Sequence, residues 1–205
     1  MTAPLEVADW HLPLSPDGVV LNCRDGGRIR VRPIRKSDKQ ALIETFRSLS
    51  PESRRRRFFT QMNELPEYWA NRLTDIDHRG HRAWVVFDAE SEAGQEVGIA
   101  VARMVAVDGE PGTAELSLVV ADDQQGRGIG RMLMDLLLST AAVSGVRVLR
   151  ADTMYDNKAM IRLMRERGAE RVDDRTDPGI VSFDLAVPDV DETTGALYDL
   201  IRLAA

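Results

Sequence analysis

The stretch LSLVVADDQQGRGIGRMLM, residues 116–134, decides the fold predicted for this chain. It begins with the apolar residues Leu116, Leu118, Val119 and Val120, which are typical of a buried strand, and it ends in an apolar-faced helix. A glycine-rich turn between a strand and a helix leaves several main-chain N–H groups unpaired around one point. Together with the positive end of the helix dipole, these donors predict an anion site suited to phosphate. Gly128 and Gly130 tolerate positive φ, and we expect them to let a ligand come close to the main chain.

The spacing of the glycines favours one phosphate ligand over others. The dinucleotide pattern G-x-G-x-x-G does not fit, because the third glycine comes one residue early, and the Lys-Ser/Thr pair of the nucleotide P-loop is absent. The pattern present is Gln125-x-x-Gly128-x-Gly130 between a strand and a helix. It resembles the coenzyme A pyrophosphate loop of the GNAT family of N-acetyltransferases. A glycine-rich turn that binds no ligand is the alternative interpretation.

A second motif supports the resemblance. Asn157 stands at a predicted helix start after the next strand, with Leu163 and Gly168 at the offsets usual in the family. A helix cap alone would explain Asn157. From Arg28 to Leu185 the order of elements also matches the family: a strand, two helices, a strand meander, the phosphate turn with its helix, a strand, a helix and a strand pair. Two motifs at the right separation argue against coincidence.

The resemblance implies an α/β (α+β) fold in which helices flank a single mixed, largely antiparallel central sheet. The residues agree, because segments 83–87, 97–105 and 113–120 are strand-like and are separated by turn-forming stretches. Segment 147–153 follows a helix, which predicts parallel pairing with its predecessor. We expect an N-terminal arm (residues 1–25), an acetyltransferase domain (residues 26–187) and a helical tail (residues 188–205). The apolar stripe of the tail suits a closing helix or a homodimer contact.

The resemblance also implies that acetyl-CoA is the co-substrate, and it assigns the binding residues. The main chain of Leu118, Val119 and Val120 would pair with the pantetheine arm as if it were an added strand. Asn157 would form a hydrogen bond to the coenzyme near its sulfur end. The pyrophosphate would lie on the turn, which consists of Gln125, Gly126, Arg127, Gly128, Ile129, Gly130 and Arg131. The two arginines of this turn would add positive charge.

The chemistry implied is direct attack of an amine on the thioester. Glu115 is the candidate general base, and we expect burial in its apolar strand to make it a better proton acceptor. A glutamate on the wet face of the sheet is the alternative. The Val120 N–H would stabilise the oxyanion. Many family members place a tyrosine general acid where this chain has Met164, which cannot donate a proton; Tyr155 is the tyrosine near it in sequence.

The sequence specifies the acceptor less precisely than it specifies the coenzyme. The segment LSPESRRRRFF, residues 49–59, and the glycine-rich turn look most like those of bacterial protein lysine acetyltransferases. A protein lysine is therefore the first acceptor. A small amine, such as a polyamine, an amino acid or an aminoglycoside, is the second interpretation. A non-catalytic module that senses acyl-CoA is the third.

Composition restricts the remaining functions. The chain of 205 residues has a formal net charge of -6, which argues against nucleic acid as a partner. We interpret the run Arg54–Arg57 as a solvated helix face, with lining of the substrate groove as the alternative. The stretch Asp75–His81 matches no zinc spacing, so we expect a polar loop and no metal. No apolar run reaches the length of a membrane span. The lone Cys23 and the lack of a secretory signal favour a cytoplasmic location.

Overall fold

The computed structural model describes residues 18–23, 25–91, 96–172 and 177–189. Most of the expected arm and of the helical tail lies outside these ranges. Those two segments, the domain boundaries and the homodimer contact therefore stay predictions. Within the ranges just given, no helix combines the length and the apolar character needed to cross a membrane.

One eight-stranded sheet runs through the described part of the chain. Its strands are β1 (Val19–Asn22), β2 (Arg28–Pro33), β3 (His81–Asp88), β4 (Gly98–Ala106), β5 (Thr113–Val120), β6 (Val148–Met154), β7 (Glu170–Val172) and β8 (Ile180–Ala186). Their order is β1-β2-β3-β4-β5-β6-β8-β7, and neighbouring strands are antiparallel except for β5 and β6. The predicted fold, a largely antiparallel mixed sheet, is confirmed.

Helices cover both faces of this sheet. Within the described ranges they are α1 (Lys39–Ser48), α2 (Pro51–Phe58), α3 (Glu67–Thr74), α4 (Ile129–Val143) and α5 (Lys158–Glu166). Helix α2 begins as its sequence predicts, since Ser50 caps it by accepting a hydrogen bond from Ser53 N at 3.2 Å and Pro51 is its first residue. Helices α4 and α5 lie on one face of the sheet, and α1, α2 and α3 lie on the other.

The two faces differ in their packing. On the α4 face, Leu133, Met134 and Leu137 are fully buried and belong to a continuous apolar core with residues from β2 to β6 and β8. On the α1–α3 face the apolar contacts fall into two smaller clusters, one that includes Phe87 and one that includes Phe46. The core therefore lies mainly on the α4 side.

The α1–α3 face also contains a buried ion pair. Arg32 on β2 and Asp38 before α1 are 3% and 6% exposed, and hydrogen bonds of 2.7 and 2.8 Å join them. Glu96 accepts a further bond from Arg32 at 2.8 Å, and the guanidinium carbon lies 4.5 Å from the centre of the Phe87 ring. Charged side chains are therefore part of the interior on this side of the sheet.

Candidate active site

The glycine-rich turn begins where β5 ends and leads into α4. A short 3-10 turn, Asp122–Gln124, follows β5, and Gly128 caps the start of α4. Gly126 and Gly128 have φ of +83° and +91°, in the left-handed region that favours glycine. Gly128 thus uses the positive φ that its lack of a side chain permits, whereas Gly130 is already helical and Gly126 is the second glycine with positive φ.

Unpaired main-chain donors are concentrated in this turn. The N–H groups of residues 126–130 form no hydrogen bond with any part of the chain that the structure describes. Ile129 and Gly130 are the first two residues of α4, so no preceding helical turn supplies an acceptor for their N–H groups. The positive end of the helix dipole reinforces these donors, and the turn is therefore suited to binding a phosphate group.

A crevice opens beside the turn, between β5 and β6. The parallel ladder joins only residues 113–115 of β5 to residues 148–150 of β6. Beyond Glu115 the two strands separate, while β6 continues to pair with β8 as far as Met154. Among the residues that the structure describes, no strand therefore pairs with the main chain of residues 116–120 on this side, which suits an extended ligand that pairs with it like an added strand.

The side chains of Gln125 and Ile129 both contact other parts of the chain. Gln125 Nε2 donates a hydrogen bond to the Val120 carbonyl at 3.2 Å, so it braces the end of β5 against the turn. Ile129 is 2% exposed and belongs to the core on the α4 face. At Ile129, a ligand in the turn can therefore contact the main-chain N–H but not the side chain.

The two arginines of the turn are paired with acids of the chain. Arg127 Nε lies 2.6 Å from the Asp25 carboxylate, and another nitrogen of Arg127 donates to Gln124. Arg131 lies 2.6 Å from Glu166 on α5. In this arrangement each charge is balanced by a neighbouring carboxylate, and the role of both arginines toward the pyrophosphate stays a prediction.

Asn157 lies on the other side of the crevice, at the start of α5. Its side-chain oxygen accepts a hydrogen bond from Met160 N at 3.2 Å, which is the capping arrangement. Met164, at the position of the family's tyrosine, is fully buried in the core, whereas the Tyr155 side chain is 65% exposed. The contact of Asn157 with the coenzyme therefore stays a prediction, and Met164 has no proton to donate in place of the tyrosine.

Glu115 lies at the point where β5 and β6 begin to separate. Its neighbours Ala114 and Leu116 are buried on the α4 face, so strand alternation directs Glu115 to the opposite face. There it is exposed, beside Arg150 of β6 in the strand register. The expected burial of Glu115 is wrong, and the wet-face alternative describes its position. Its role as a base stays a prediction.

Helix α2 spans the crevice on the α1–α3 side, a contact that the sequence does not reveal. At its start, Ser50 N, Ser50 Oγ and Ser53 Oγ donate to the Asp122 carboxylate at 2.8, 2.9 and 2.7 Å. Further along, Arg55 pairs at 2.5 Å with Asp156, which precedes α5. Because Asp122 follows β5 and Asp156 follows β6, α2 is attached to both sides of the opening.

The interpretation of Arg54–Arg57 as a solvated face is therefore wrong. All four side chains are partly buried. Arg54 donates to the main-chain oxygens of Leu49, Asn63 and Arg47 at 3.0, 3.0 and 2.8 Å. Arg54, Arg55 and Arg56 thus attach α2 to other parts of the chain rather than coat a surface.

The acidic and histidine-containing stretch before β3 forms the predicted polar loop. The Asp77 carboxylate accepts main-chain hydrogen bonds from Arg79 and His81 at 2.9 Å and from Gly80 at 3.3 Å, which fixes the turn and lowers the pKa of Asp77. In the residues that the structure describes, no three His, Cys, Asp or Glu side chains are grouped closely enough to hold a metal ion.

A family model matches a part of the chain that contains strands β3 to β6 and both motifs. The family described as "Acetyltransferase (GNAT) family" matches residues 41–169, which is more than half of the chain. The chain belongs to the GNAT acetyltransferase family. The match includes β5, the glycine-rich turn and Asn157.

Individual relatives agree with this assignment. The chain is 33% identical to "Acetyltransferase Pat" of Mycolicibacterium smegmatis over 176 residues, which are 84% of this chain and 50% of Pat. It is 32% identical to "Acetyltransferase PA5475" of Pseudomonas aeruginosa over 66% of this chain and 72% of that protein. The solved GNAT domain of S. lividans PAT has a TM-score of 0.72 and 25% identity, covering 82% of this chain and 95% of that domain. The chain thus spans half the length of Pat.

Proposed function

We propose that this chain is an acetyl-CoA-dependent N-acetyltransferase whose acceptor is the side-chain amine of a protein lysine. The observation that carries the proposal is the run of unpaired N–H groups at residues 126–130 beside the open edge of β5. A diphosphate fits the first feature and an extended pantetheine arm fits the second. Acetyl-CoA contains both groups in one molecule.

The proposed contacts use main-chain groups more than side chains. Leu118, Val119 and Val120 would pair with the arm, and residues 126–130 would hold the pyrophosphate. Arg127 and Arg131 would add charge only after exchanging their present carboxylate partners. Asn157 would contact the coenzyme while it continues to cap α5.

Glu115 is the proposed general base. It lies at the narrow end of the crevice, exposed to solvent, on the strand that would hold the thioester arm. A water on Glu115 would take the proton that the amine loses as its nitrogen forms a bond to the thioester carbon. The Val120 N–H would stabilise the oxyanion. The C–S bond then breaks, and the thiolate of coenzyme A takes a proton from solvent, because Met164 is buried and has none to give.

The net charge of the chain and its similarity to Pat support a lysine acceptor. The chain has a net charge of -6, which favours the approach of a cationic amine. Two further carboxylates, Glu110 and Asp184, both bind Arg150, the β6 residue opposite Glu115, and together outnumber its single positive charge. The likeness to Pat extends over most of this chain.

A thiol-release assay tests the proposal. Acetyl-CoA is supplied with lysine-containing peptides and, in parallel, with spermidine, leucine and kanamycin. We expect turnover with the peptides, and we expect Glu115→Gln to lower kcat by about a hundredfold or more without changing the Kd of coenzyme A. Glu170→Gln, an exposed glutamate on β7, is the matched control and should keep wild-type turnover.

Two results would contradict the proposal in different ways. Turnover with a small amine and with none of the peptides would show that the acceptor is a small amine rather than a protein lysine. Tight coenzyme binding without turnover for any acceptor would favour a non-catalytic acyl-CoA sensor.

A further inference from the structure

A cavity lies between helices α1–α3 and strands β3 and β4, and it contains cationic groups that acetyl transfer does not use. The space inside it that the centre of a water molecule can reach is about 40 Å³. Its walls are mostly apolar and include Ile34, Leu42, Phe46, Leu73, Val101 and Val119. Two arginines, Arg57 from α2 and Arg103 from β4, also line it.

Arg103 is held in a fixed orientation inside this cavity. It is 3% exposed, its Nη1 donates to the Leu73 carbonyl at 3.2 Å, and the same nitrogen lies 2.8 Å from His81 Nε2. Burial and the charge of Arg103 lower the pKa of His81 to about 4, so the neutral ring accepts this hydrogen bond. The guanidinium is thus anchored through one of its nitrogens.

The other two nitrogens of Arg103 are buried without a partner. Nε and Nη2 form no hydrogen bond with the residues described here. These two N–H groups lie on the same edge of the guanidinium and point in parallel, which is the edge that binds a carboxylate through two hydrogen bonds. Buried donors of this kind cost free energy unless an acceptor reaches them.

Arg57 adds a second positive charge without a counter-ion. Its guanidinium carbon lies 4.9 Å from the centre of the Phe58 ring, and it forms no ion pair within the described ranges. Burial lowers the pKa of Arg57 to about 10; burial and the charge of Arg57 lower the pKa of Arg103 to about 9. Asp38 also lines the cavity, but its carboxylate is already bound by Arg32. An anion between the two arginines would offset their repulsion.

We propose that this cavity binds the carboxylate of a small, largely apolar organic acid, with Nε and Nη2 of Arg103 as the paired donors and Arg57 as the second cation. The planar two-donor edge matches a carboxylate, and the apolar walls match a short hydrocarbon group. The carboxylate could belong to the acceptor itself, because Val119 of β5 lines the cavity and Ser117 lies opposite Arg103 in the sheet. It could also belong to a separate effector. Binding of the acid requires no acetyl transfer.

Direct binding of isovalerate tests the site on the full chain. The Nε–H resonance of Arg103 is identified by its absence from the spectrum of Arg103→Lys, and isovalerate is then titrated into the wild type. Isovaleramide, which has the same shape without the charge, is the matched ligand. We expect isovalerate to shift this resonance and to bind about tenfold or more tightly than isovaleramide. An unmoved resonance, or equal affinity for the two compounds, would overturn the proposal.

Variants locate the site. Arg103→Lys keeps the charge but loses the paired donors, so we expect about a tenfold loss of isovalerate affinity, and Arg57→Gln should also weaken binding. Arg162→Gln, an exposed arginine on α5, is the control and should bind like the wild type. If Arg103→Lys fails to fold, Arg57→Gln and the wild-type resonance decide the question. Wild-type affinity in both cavity variants would overturn the site.

Two further measurements distinguish the sources of the carboxylate. If the acceptor carries it, leucine is acetylated and leucinamide, which lacks the carboxylate, is acetylated far more slowly. If an effector carries it, leucine is not acetylated, and isovalerate changes the rate of peptide acetylation in the wild type but not in Arg57→Gln. Either result supports the site, and both are separate from the binding measurement.

Discussion

The two faces of the sheet are stabilised by different interactions. The α4 face is a continuous apolar core, in which a buried polar group such as Trp84 Nε1 finds an acceptor, Thr140 Oγ1, at 3.0 Å. The α1–α3 face contains the Arg32–Asp38 ion pair and the partly unpaired Arg103. This fold therefore places its larger apolar core on one face of the sheet and its buried charged groups, whose burial costs free energy, among smaller apolar clusters on the other.

Among the tests of this difference between the two faces, we expect Asp38→Ala to have the largest effect. Removing this carboxylate leaves Arg32 buried without its main partner, so we expect the free energy of unfolding to fall by about 4 kcal/mol. Urea unfolding followed by circular dichroism measures the change. Glu90→Ala removes an exposed partner of Arg28 and should change stability by less than about 0.5 kcal/mol. Similar values for the two variants would show that the buried pair contributes little.

On the opposite face, Leu137→Ala tests the apolar core. Leu137 is fully buried on α4, and its truncation removes contacts and leaves a cavity, so we expect a loss of about 3 kcal/mol. The same urea experiment applies. Val97→Ala, at a residue that is 60% exposed, is the matched truncation and should have almost no effect. A loss at Leu137 below about 1 kcal/mol would mean that the core repacks around the gap.

The charged face should also determine how stability depends on pH. The pKa of His81 is lowered from 6.5 to about 4 in the folded chain. Between these values the unfolded state binds the proton more readily, so stability is highest above pH 6.5 and decreases as pH falls toward 4. We expect His81→Asn to make this decrease shallower in unfolding curves recorded at pH 7, 5.5 and 4.5. His78→Asn, at an exposed histidine in the same loop, should leave the slope unchanged.

The smallest effect is expected at the glycine-rich turn. Asp25 competes with any bound phosphate for Arg127, so Asp25→Asn should tighten the binding of coenzyme A by about two- to fivefold at low salt, and less at high salt. Isothermal titration measures both values. Asp108→Asn, at an exposed site between β4 and β5, is the control. Weaker binding in Asp25→Asn would show instead that Asp25 orients Arg127 for the ligand.

Features that depend on local main-chain geometry could be predicted from the sequence. The bounds of β5, the parallel pairing of β5 with β6 and the cap of α2 follow from apolar runs, from a helical crossover and from Ser50-Pro51. Glu115 was open to the same reasoning, since alternation with Ala114 and Leu116 already places it on the other face.

Contacts between side chains that are distant in sequence could not be predicted. Two contacts attach α2 to the rest of the chain. Ser50 and Asp122 are 72 positions apart in the sequence, and Arg55 and Asp156 are 101 positions apart. No periodicity or spacing encodes such pairs, because they arise only when the sheet brings its loops together. Arg103 carried a weak signal, as a charged residue inside the apolar run IAVARMVA.

The attachment of α2 to Asp122 and to Asp156 has a mechanical consequence. Helix α2 crosses the gap between β5 and β6. The gap therefore cannot widen without lengthening the Ser50–Asp122 hydrogen bonds or the Arg55–Asp156 ion pair. A thioester arm that wedges the strands apart would therefore tilt α2 and reshape the surface above it. Binding of an extended ligand in the gap would thereby change the position of α2.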